Sequence, residues 1–338
     1  MTAILLTLAI GGLASAAVTA LLLRAGAQLP HAAPNARSLH RHPVPRVGGL
    51  ALWAGFLPVA AWVGSGLPGG FAGWLPAWLA IAAISLYDDV RGAPVLARLS
   101  VHVAAALWSA AWLMRMPGSV LPGVVPGGTY LVAVALIALV IVWSANLYNF
   151  MDGSDGIAGA TTLIGFAAYA IAADGDTPLR LACVALAAAA VPFLAVNRPP
   201  ARMFLGDVGA VPAGFLAAML GIGGALRGDW PAWFPVLVFL PFVGDASWTL
   251  LRRLLRGERV WEAHCMHYYQ RLNQLGAGHA GTLALYGGLT AAAALTALVC
   301  RARAPESGGA ALLAWSIALA ILFAAIDYHW RRKPSATR

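Results

Sequence analysis

The sequence predicts an all-α protein that crosses a membrane many times, and its composition and hydropathy pattern support this fold class. Hydrophobic residues make up 60% of the 338 residues, whereas charged residues make up only 10%. Soluble globular proteins contain about 25% charged residues, so this composition excludes a soluble chain with a large core. Mean hydropathy is +0.76, and the apolar residues form runs long enough to cross a bilayer as helices.

Eleven apolar segments alternate with short polar connections, and each is close to the roughly 20 residues that a membrane-spanning helix needs. They cover residues 3–23, 49–65, 72–87, 99–115, 130–147, 157–173, 180–197, 208–226, 233–251, 280–299 and 309–329. The first segment lacks a preceding basic stretch, so we expect a retained helix rather than a cleaved signal peptide. Residues 1–338 are expected to form a single integral membrane domain.

The basic residues predict the orientation of this domain. Of the 22 Lys and Arg residues, all but five lie in alternate connections or in the C-terminal tail. The five exceptions are Arg115, Arg180, Arg227, Arg301 and Arg303. Since cytoplasmic loops carry the excess of Lys and Arg, we expect a periplasmic N-terminus and a cytoplasmic C-terminus. Residues 252–278 then form the largest cytoplasmic loop. Topology thus accounts for the net charge of +9, and nucleic acid is not an expected partner.

The densest polar motif lies between the fifth and sixth apolar segments. Its polar residues and glycines are Asn146, Asn149, Asp152, Gly153, Asp155 and Gly156. If this stretch is helical, Asp152 and Asp155 share a face. Amide and carboxylate oxygens suit a hydrated Mg²⁺ ion, and the glycines allow a phosphate to approach the backbone. An ordinary polar loop with turn glycines is the alternative, which so apolar a chain disfavours.

Two further carboxylate motifs lie on the same predicted side. Asp88 and Asp89 end the third apolar segment, and Asp207 stands between Gly206 and Gly209 at the start of the eighth. Adjacent carboxylates repel each other unless a proton or a cation compensates their charge. Asp207 alone could be a helix N-cap, but beside the other carboxylates metal ligation is the better interpretation.

Basic and imidazole side chains accompany these carboxylates. In the 252–278 loop, His264, His267 and Arg271 would line one side of a helix, and Arg46 lies in a basic, proline-rich loop at 38–50. Zinc binding by His264 and His267 lacks further ligands at a suitable spacing. Arg and His can instead bind phosphate oxygens. The alternatives are a helix on the surface of anionic lipid for the first loop and an ordinary positive-inside loop for the second.

Taken together, these motifs predict phosphoryl chemistry on a lipid at the edge of the bilayer. They also resemble a known family, the polyprenyl-phosphate N-acetylhexosamine-1-phosphate transferases, of the bacterial glycosyltransferase family 4 type. The resemblance rests on Asn-x-x-Asn-Phe-Met-Asp-Gly-x-Asp-Gly at 146–156, Phe-Leu-Gly-Asp-Val-Gly at 204–209, the Asp88–Asp89 pair and His-x-x-His-Tyr-Tyr-Gln-Arg at 264–271. It extends over essentially the whole chain and is closest to the branch that starts O-antigen and other surface glycans.

The resemblance implies a reaction and its partners. HexNAc-1-phosphate would pass from a UDP-N-acetylhexosamine to undecaprenyl phosphate with release of UMP, in the bacterial inner membrane and with a cytoplasmic active site. The product would start a lipid-linked glycan of lipopolysaccharide, capsule or another cell-wall polymer. The implied cofactor is Mg²⁺, for which Mn²⁺ is a substitute. Membrane lipid surrounds the protein, and a homodimer is left open.

The resemblance also implies residue roles. Asn149 and Asp207 would hold the metal. Asp88 and Asp89 would lie near the acceptor phosphate as candidate bases, and Asp152 and Asp155 would line the nucleotide-sugar site. The other expected substrate-binding residues are Asn146, Gly153, Gly156, His264, His267, Arg271 and Arg46.

This sequence departs from the family pattern at three places. Val90, Arg91 and Gly92 follow Asp89 where family members often carry another acidic residue, Ala210 replaces a usual serine, and Cys265 with Met266 replaces a usual Arg-Ser pair. The last change leaves the sugar preference open.

Two other functions compete with this one. A CDP-alcohol phosphotransferase is disfavoured because Asp155-Gly156 is followed by Ile-Ala-Gly-Ala rather than by Ala-Arg and further spaced aspartates. A transporter of a lipid-linked or phosphorylated sugar is the main alternative. Transporters concentrate polar groups at mid-membrane, whereas the polar clusters here lie at one face.

Overall fold

The computed structural model describes residues 1–32, 44–116, 128–175, 177–260, 262 and 264–333. These residues fold almost entirely into helices, and within them the only extended pairing joins β1 (His31–Ala32) to β2 (Val44–Pro45). The helices are α1 (Thr2–Ala25), α2 (Gly49–Val63), α3 (Gly70–Arg91), α4 (Val95–Leu113), α5 (Gly128–Phe150), α6 (Ile157–Ala172), α7 (Pro178–Asn197), α8 (Asp207–Arg227), α9 (Trp233–Val238), α10 (Leu240–Leu255), α11 (Tyr268–Leu272), α12 (Gly278–Arg303) and α13 (Gly308–Arg332).

The prediction of an all-α polytopic membrane protein is confirmed. Among the described residues, nine helical stretches are long and apolar enough to cross a bilayer. The other two apolar segments also form helices but differ in detail. The 157–173 segment forms α6, which has only 16 residues. The 233–251 segment is divided into α9 and α10 at Phe239, because Pro241 has no amide hydrogen with which to continue the first helix.

The centre of the bundle is α8, which packs against α3 and α5, while α7 packs against α1, α2 and α6. Small residues allow the close approach of α8 and α5. A Cβ atom on Gly214 would lie 2.4 Å from the carbonyl oxygen of Ser144, and the Ser144 hydroxyl donates a hydrogen bond to the Gly214 carbonyl at 2.8 Å. Because lipid provides no hydrophobic driving force between helices, this close packing and the hydrogen bond are what stabilise the helix pair.

A short backbone pairing joins the segment before α2 to the segment before α8. The Phe204 amide donates to the Pro45 carbonyl at 2.8 Å, and the Gly48 amide donates to the Phe204 carbonyl at 2.9 Å. Gly49 lies so close to Gly209 that a Cβ atom on Gly49 would be 2.3 Å from the Cα atom of Gly209. The pairing places Arg46 beside the start of α8. The remainder of the predicted 38–50 loop, residues 38–43, lies outside the described residues.

Candidate active site

Asp207, the first residue of α8, is the centre of a cluster of charged side chains. Its Oδ1 atom accepts a hydrogen bond from the Arg46 guanidinium at 3.2 Å. Its Oδ2 atom accepts from Arg98 of α4 at 3.2 Å and from the amide nitrogen of Asn149 at 3.2 Å. The two predicted metal ligands, Asn149 and Asp207, are therefore in direct contact, although they lie on different helices.

Asp88 and Asp89, at the end of α3, reach the same cluster in different ways. Asp88 forms an ion pair with Arg98, and its carboxyl group lies within hydrogen-bonding reach of that of Asp207. The Asp89 carboxylate is fully buried and accepts the backbone amides of Asp207 at 3.1 Å and Val208 at 2.8 Å. Asp89 thus caps the start of α8 from a neighbouring helix. Asp207 is not an N-cap itself.

Asp152 joins the cluster from the turn that follows α5. Its carboxyl group accepts a hydrogen bond from the Gly206 amide. Burial raises the pKa of this carboxyl well above its usual range, and the negative charges of Asp207 and Asp89 add to the effect. A proton on Asp152 is thus favoured until a cation compensates the local charge.

We call the six charged side chains of this region the carboxylate cluster: Asp88, Asp89, Asp152, Asp207, Arg46 and Arg98. Four carboxylates and two guanidinium groups leave a formal charge of −2 when all are ionised. Within the described ranges, no three His, Cys, Asp or Glu side chains are arranged to hold a metal by themselves. Mg²⁺ does not need such a cage, since it binds one or two carboxylates together with water and substrate phosphates. The oxygen donors and the excess negative charge therefore fit a divalent cation.

The Asp155 carboxylate contacts groups outside the carboxylate cluster. Its Oδ2 atom accepts the Ala201 amide at 2.9 Å, and its Oδ1 atom lies 3.6 Å from Nδ1 of His279 in α12. The next residue, Gly156, has a left-handed φ of 79° and donates its amide to Asn197 at 3.0 Å. The stretch from Asp152 to Asp155 is not helical, because α5 ends at Phe150, so the condition under which the two aspartates would share a helical face is not met. Asp155 instead ties the turn to the connection between α7 and α8.

Asn146 lies one turn before Asn149 in α5. Its side-chain nitrogen donates to the carbonyl oxygen of Val142 at 2.8 Å. Because both asparagines lie in α5 and are three residues apart, they share a helix face, as their spacing predicts.

The His264–Arg271 motif is not one continuous helix, so the expectation that its three basic residues share a helical face is wrong. Helix α11 starts at Tyr268, and His267 is its N-cap in a reciprocal capping arrangement with Gln270. The His264 and His267 rings are 4.8 Å apart between centroids. Burial, together with the nearby His267 and basic side chains, lowers the pKa of His264 to about 3.

The motif nevertheless contacts the Asp152 turn. His267 stacks on Phe150 with ring centroids 6.0 Å apart. The Tyr269 hydroxyl donates to the Phe150 carbonyl at 2.9 Å. A Cβ on Gly153 would lie 2.1 Å from the Tyr269 oxygen, so glycine is required for this approach. The loop that carries the histidines is therefore held against the turn that carries Asp152.

Two aspartates that the predicted site did not include hold this loop in place. The buried Asp245 carboxylate accepts the amides of Tyr268 at 2.8 Å and Tyr269 at 2.9 Å, and the hydroxyl of Tyr286 at 2.6 Å. Asp327 of α13 forms an ion pair with Arg271 at 2.6 Å.

Asp327 also pairs with Arg252 and accepts the Tyr268 hydroxyl at 3.1 Å. Arg271 therefore faces a carboxylate rather than the carboxylate cluster. Sequence reasoning missed Asp327 and Arg98 as site residues. The available signal for Asp327 was a carboxylate inside the last apolar segment, where an isolated charge is costly.

The chain is similar in sequence to known proteins over much of its length. Residues 71–225 match the family described as glycosyl transferase family 4. The chain is 28% identical over 284 residues to a decaprenyl-phosphate N-acetylglucosaminephosphotransferase of Mycobacterium leprae, covering 73% of this chain and 70% of the relative. It is 24% identical over 261 residues to a probable undecaprenyl-phosphate N-acetylglucosaminyl 1-phosphate transferase of Bacillus subtilis, covering 73% of this chain and 70% of that one.

A third relative is a phospho-N-acetylmuramoyl-pentapeptide-transferase of Lacticaseibacillus paracasei, 26% identical over 255 residues, with 67% of this chain and 74% of the relative covered. The resemblance predicted from the motifs is confirmed. Residues 71–225 match the glycosyl transferase family 4 model, and the relatives named here are polyprenyl-phosphate sugar-phosphate transferases. Most of the carboxylate cluster lies in this range, whereas Arg46 and the His264–Arg271 motif lie outside it.

Proposed function

We propose that this protein transfers an N-acetylhexosamine-1-phosphate from a UDP-sugar to undecaprenyl phosphate and releases UMP. The observation that carries the proposal is the carboxylate cluster, which gathers four aspartates and two arginines from five regions of the chain at one end of the bundle. A diphosphate and a divalent cation are the ligands whose charges such a cluster balances.

We propose that Asn149 and Asp207 hold Mg²⁺, with Mn²⁺ as a substitute. Their contact across α5 and α8, and the closeness of the Asp88 and Asp207 carboxyl groups, support a cation at this position. When bound, the ion would neutralise charge that develops on the diphosphate oxygens.

In the proposed reaction, an oxygen of the acceptor phosphate forms a bond to the sugar-bearing phosphorus. The bridging P–O bond breaks, and UMP leaves with that oxygen. Of the two candidate bases, Asp88 is partly exposed, whereas Asp89 is fully buried and occupied by the α8 amides. Asp88 is therefore the better candidate to orient the acceptor phosphate and to take any remaining proton from it. Arg46 and Arg98 would hold phosphate oxygens.

In this proposal, the nucleotide sugar binds on the other side of Asp207, between the Asp152 turn and the His264–Arg271 motif. Asp152 and the backbone at Gly153 would face it directly, while Asp155 and Gly156 would hold the turn in shape. His267 stacks on Phe150 at this turn, and His264 lies beside His267. Arg271 would act through its ion pair with Asp327, and Asn146 would support Asn149 from one helical turn away.

We further propose that the cluster faces the cytoplasm of a bacterial inner membrane, since the basic connections lie at its end of the bundle. The named donors of the relatives from M. leprae and B. subtilis support an N-acetylglucosamine-type sugar. Initiation of an O-antigen or another surface glycan remains the proposed pathway. The transporter alternative is disfavoured because the charged cluster lies at helix ends rather than at mid-membrane.

The test is UMP release by the purified protein with Mg²⁺, undecaprenyl phosphate and a panel of UDP-N-acetylhexosamines. We expect release that requires both the lipid and the metal, and the preferred donor identifies the sugar. For aspartate variants in the carboxylate cluster, Asp174→Asn is the matched control, because Asp174 is an exposed aspartate at the opposite end of the bundle. Absence of UMP with every donor, from a protein that retains its melting temperature, would overturn the proposal in favour of the transporter.

A further inference from the structure

A cleft of about 420 Å³ opens on the outer side of the bundle, between the turn after α11 and the last part of α13. Its apolar wall consists of Leu272, Leu275, Ala325 and Ile326. This volume lies within the range of small-molecule sites in proteins. The function proposed above does not use this cleft, which we call the α13 cleft.

The rim of the α13 cleft is cationic. His329, Arg332 and Lys333 line it, and no carboxylate does. The nearest acidic residue on this helix, Asp327, is already paired with Arg252 and Arg271. The cleft therefore combines an apolar wall with an excess of positive charge at its mouth.

The residues of α13 around the cleft indicate that it lies at the boundary between the hydrocarbon and the headgroups of the bilayer. Ile317 and Ile321, which lie two turns and one turn before Ala325, are 52% and 66% exposed, as expected of a helix face in contact with hydrocarbon. Tyr328, 51% exposed, lies under the Arg332 guanidinium, 4.1 Å from the ring centroid. Exposed tyrosines and basic residues at the end of a membrane helix are typical of the headgroup region.

We propose that the α13 cleft binds an anionic glycerophospholipid of the surrounding bilayer. Arg332 and Lys333 contact the phosphate of its headgroup, and one acyl chain lies against Leu272, Leu275 and Ile326. The lipid joins the end of α13 to the turn after α11, reinforcing the hydrogen bond of 2.9 Å that Lys333 donates to the Gln274 carbonyl. Cations at the membrane surface attract anionic lipids in this way.

Native mass spectrometry of the full-length protein in detergent tests the proposal, with dioleoyl-phosphatidylglycerol and dioleoyl-phosphatidylcholine as probes. We expect phosphatidylglycerol to be retained more strongly. Arg332→Gln is expected to weaken its binding about fivefold, the effect of about one interfacial cation, while phosphatidylcholine binding stays unchanged. Ala325→Trp fills the apolar part without changing the charge and is expected to weaken phosphatidylglycerol binding as well.

Arg256→Gln is the matched control, because it removes one exposed cation that does not line the cleft. Equal retention of both lipids, or an equal loss in Arg256→Gln and Arg332→Gln, would overturn the proposal. Preferential, Arg332-dependent retention of undecaprenyl phosphate over phosphatidylglycerol would overturn it too, by making the cleft an acceptor site. The measurement needs no turnover, so its outcome is independent of the proposed enzymatic activity.

Discussion

The carboxylate cluster and the surroundings of Asp245 both contain buried aspartates, but the hydrogen-bond and charge partners of these aspartates differ. The Asp245 carboxylate is fully buried and accepts two backbone amides and the Thr249 and Tyr286 hydroxyls. In the carboxylate cluster, the Arg46 guanidinium pairs with two carboxylates and the Arg98 guanidinium pairs with two, so the four carboxylates outnumber the two cations.

This difference separates structural from functional aspartates. A buried carboxylate with a full set of donors stabilises its surroundings and has no capacity left for a ligand. Carboxylates that crowd together around too few cations are costly unless another positive group joins them. By this criterion Asp207 and Asp88 are the aspartates that we propose bind a ligand, whereas Asp245 holds α11 in place.

The largest effect is expected from Asp207→Asn. Loss of the charge weakens the cation site, and UMP release should fall about 10³-fold, as for removal of a central electrostatic group in other enzymes. The melting temperature should stay close to that of the unchanged protein, because asparagine keeps the shape and one acceptor oxygen. A variant that retains most of its activity at limiting Mg²⁺ would show that Asp207 is not a metal ligand.

The opposite result is expected from Asp245→Ala. Removing this carboxylate leaves the Tyr268 and Tyr269 amides and the Tyr286 hydroxyl unpaired in the core. The free energy of unfolding should fall by about 3–5 kcal/mol, which thermal unfolding in detergent measures. Asp174→Asn, at an exposed position, should leave stability unchanged. If Asp245→Ala melts normally but loses turnover, Asp245 belongs with the functional carboxylates.

A smaller effect is expected from Gly153→Ala. The added methyl group would meet the Tyr269 hydroxyl, which should displace the Asp152 turn at a cost of about 1–3 kcal/mol and reduce turnover. Tyr269→Phe removes the obstructing oxygen, so the double variant should be more active than Gly153→Ala alone. Kinetics of the two single variants and the double variant measure this coupling. Additive losses would show that the contact does not set the position of the turn.

The smallest effect concerns the pH dependence of stability. The folded protein holds His264 neutral, with a pKa of about 3, whereas an unfolded histidine has a pKa of about 6.5. The unfolded state therefore binds more protons below about pH 6.5, and stability should decrease as the pH falls from there towards the folded pKa. Melting curves of the unchanged protein and of His264→Gln measure this contribution as the difference between them. Parallel curves would show that His264 titrates alike in both states.

Local sequence signals were sufficient to predict the helices and the motifs that meet. Segment length and hydropathy located α1 and α8, and the placement of motifs at alternate connections predicted that Asp88 and Asp207 share one end of the bundle. The break at Phe239 between α9 and α10 was missed, because a proline in an apolar segment is compatible with a continuous membrane helix.

The partners of individual side chains could not be predicted, because they depend on helix packing and register. The Arg98 bridge between Asp88 and Asp207 needs α4 to pack beside α3 with one particular rotation. Similarly, Arg271 is directed to Asp327 by the contact of α11 with α13, across 56 residues of sequence. Helical periodicity specifies which residues share a face but not which neighbour that face meets.

The contact between Arg46 and Asp207 has a consequence for biosynthesis, since 161 residues separate the two side chains in the sequence. The segment before α2 leaves the ribosome long before its partner before α8. Until α8 has been inserted into the membrane, the Asp88–Asp89 pair has neither the α8 amides nor the pairing that places Arg46. The nascent protein therefore passes through a stage in which Asp89 lacks the backbone amides that it accepts in the folded protein, and the proposed activity can appear only after α8 and the later His264–Arg271 motif have folded.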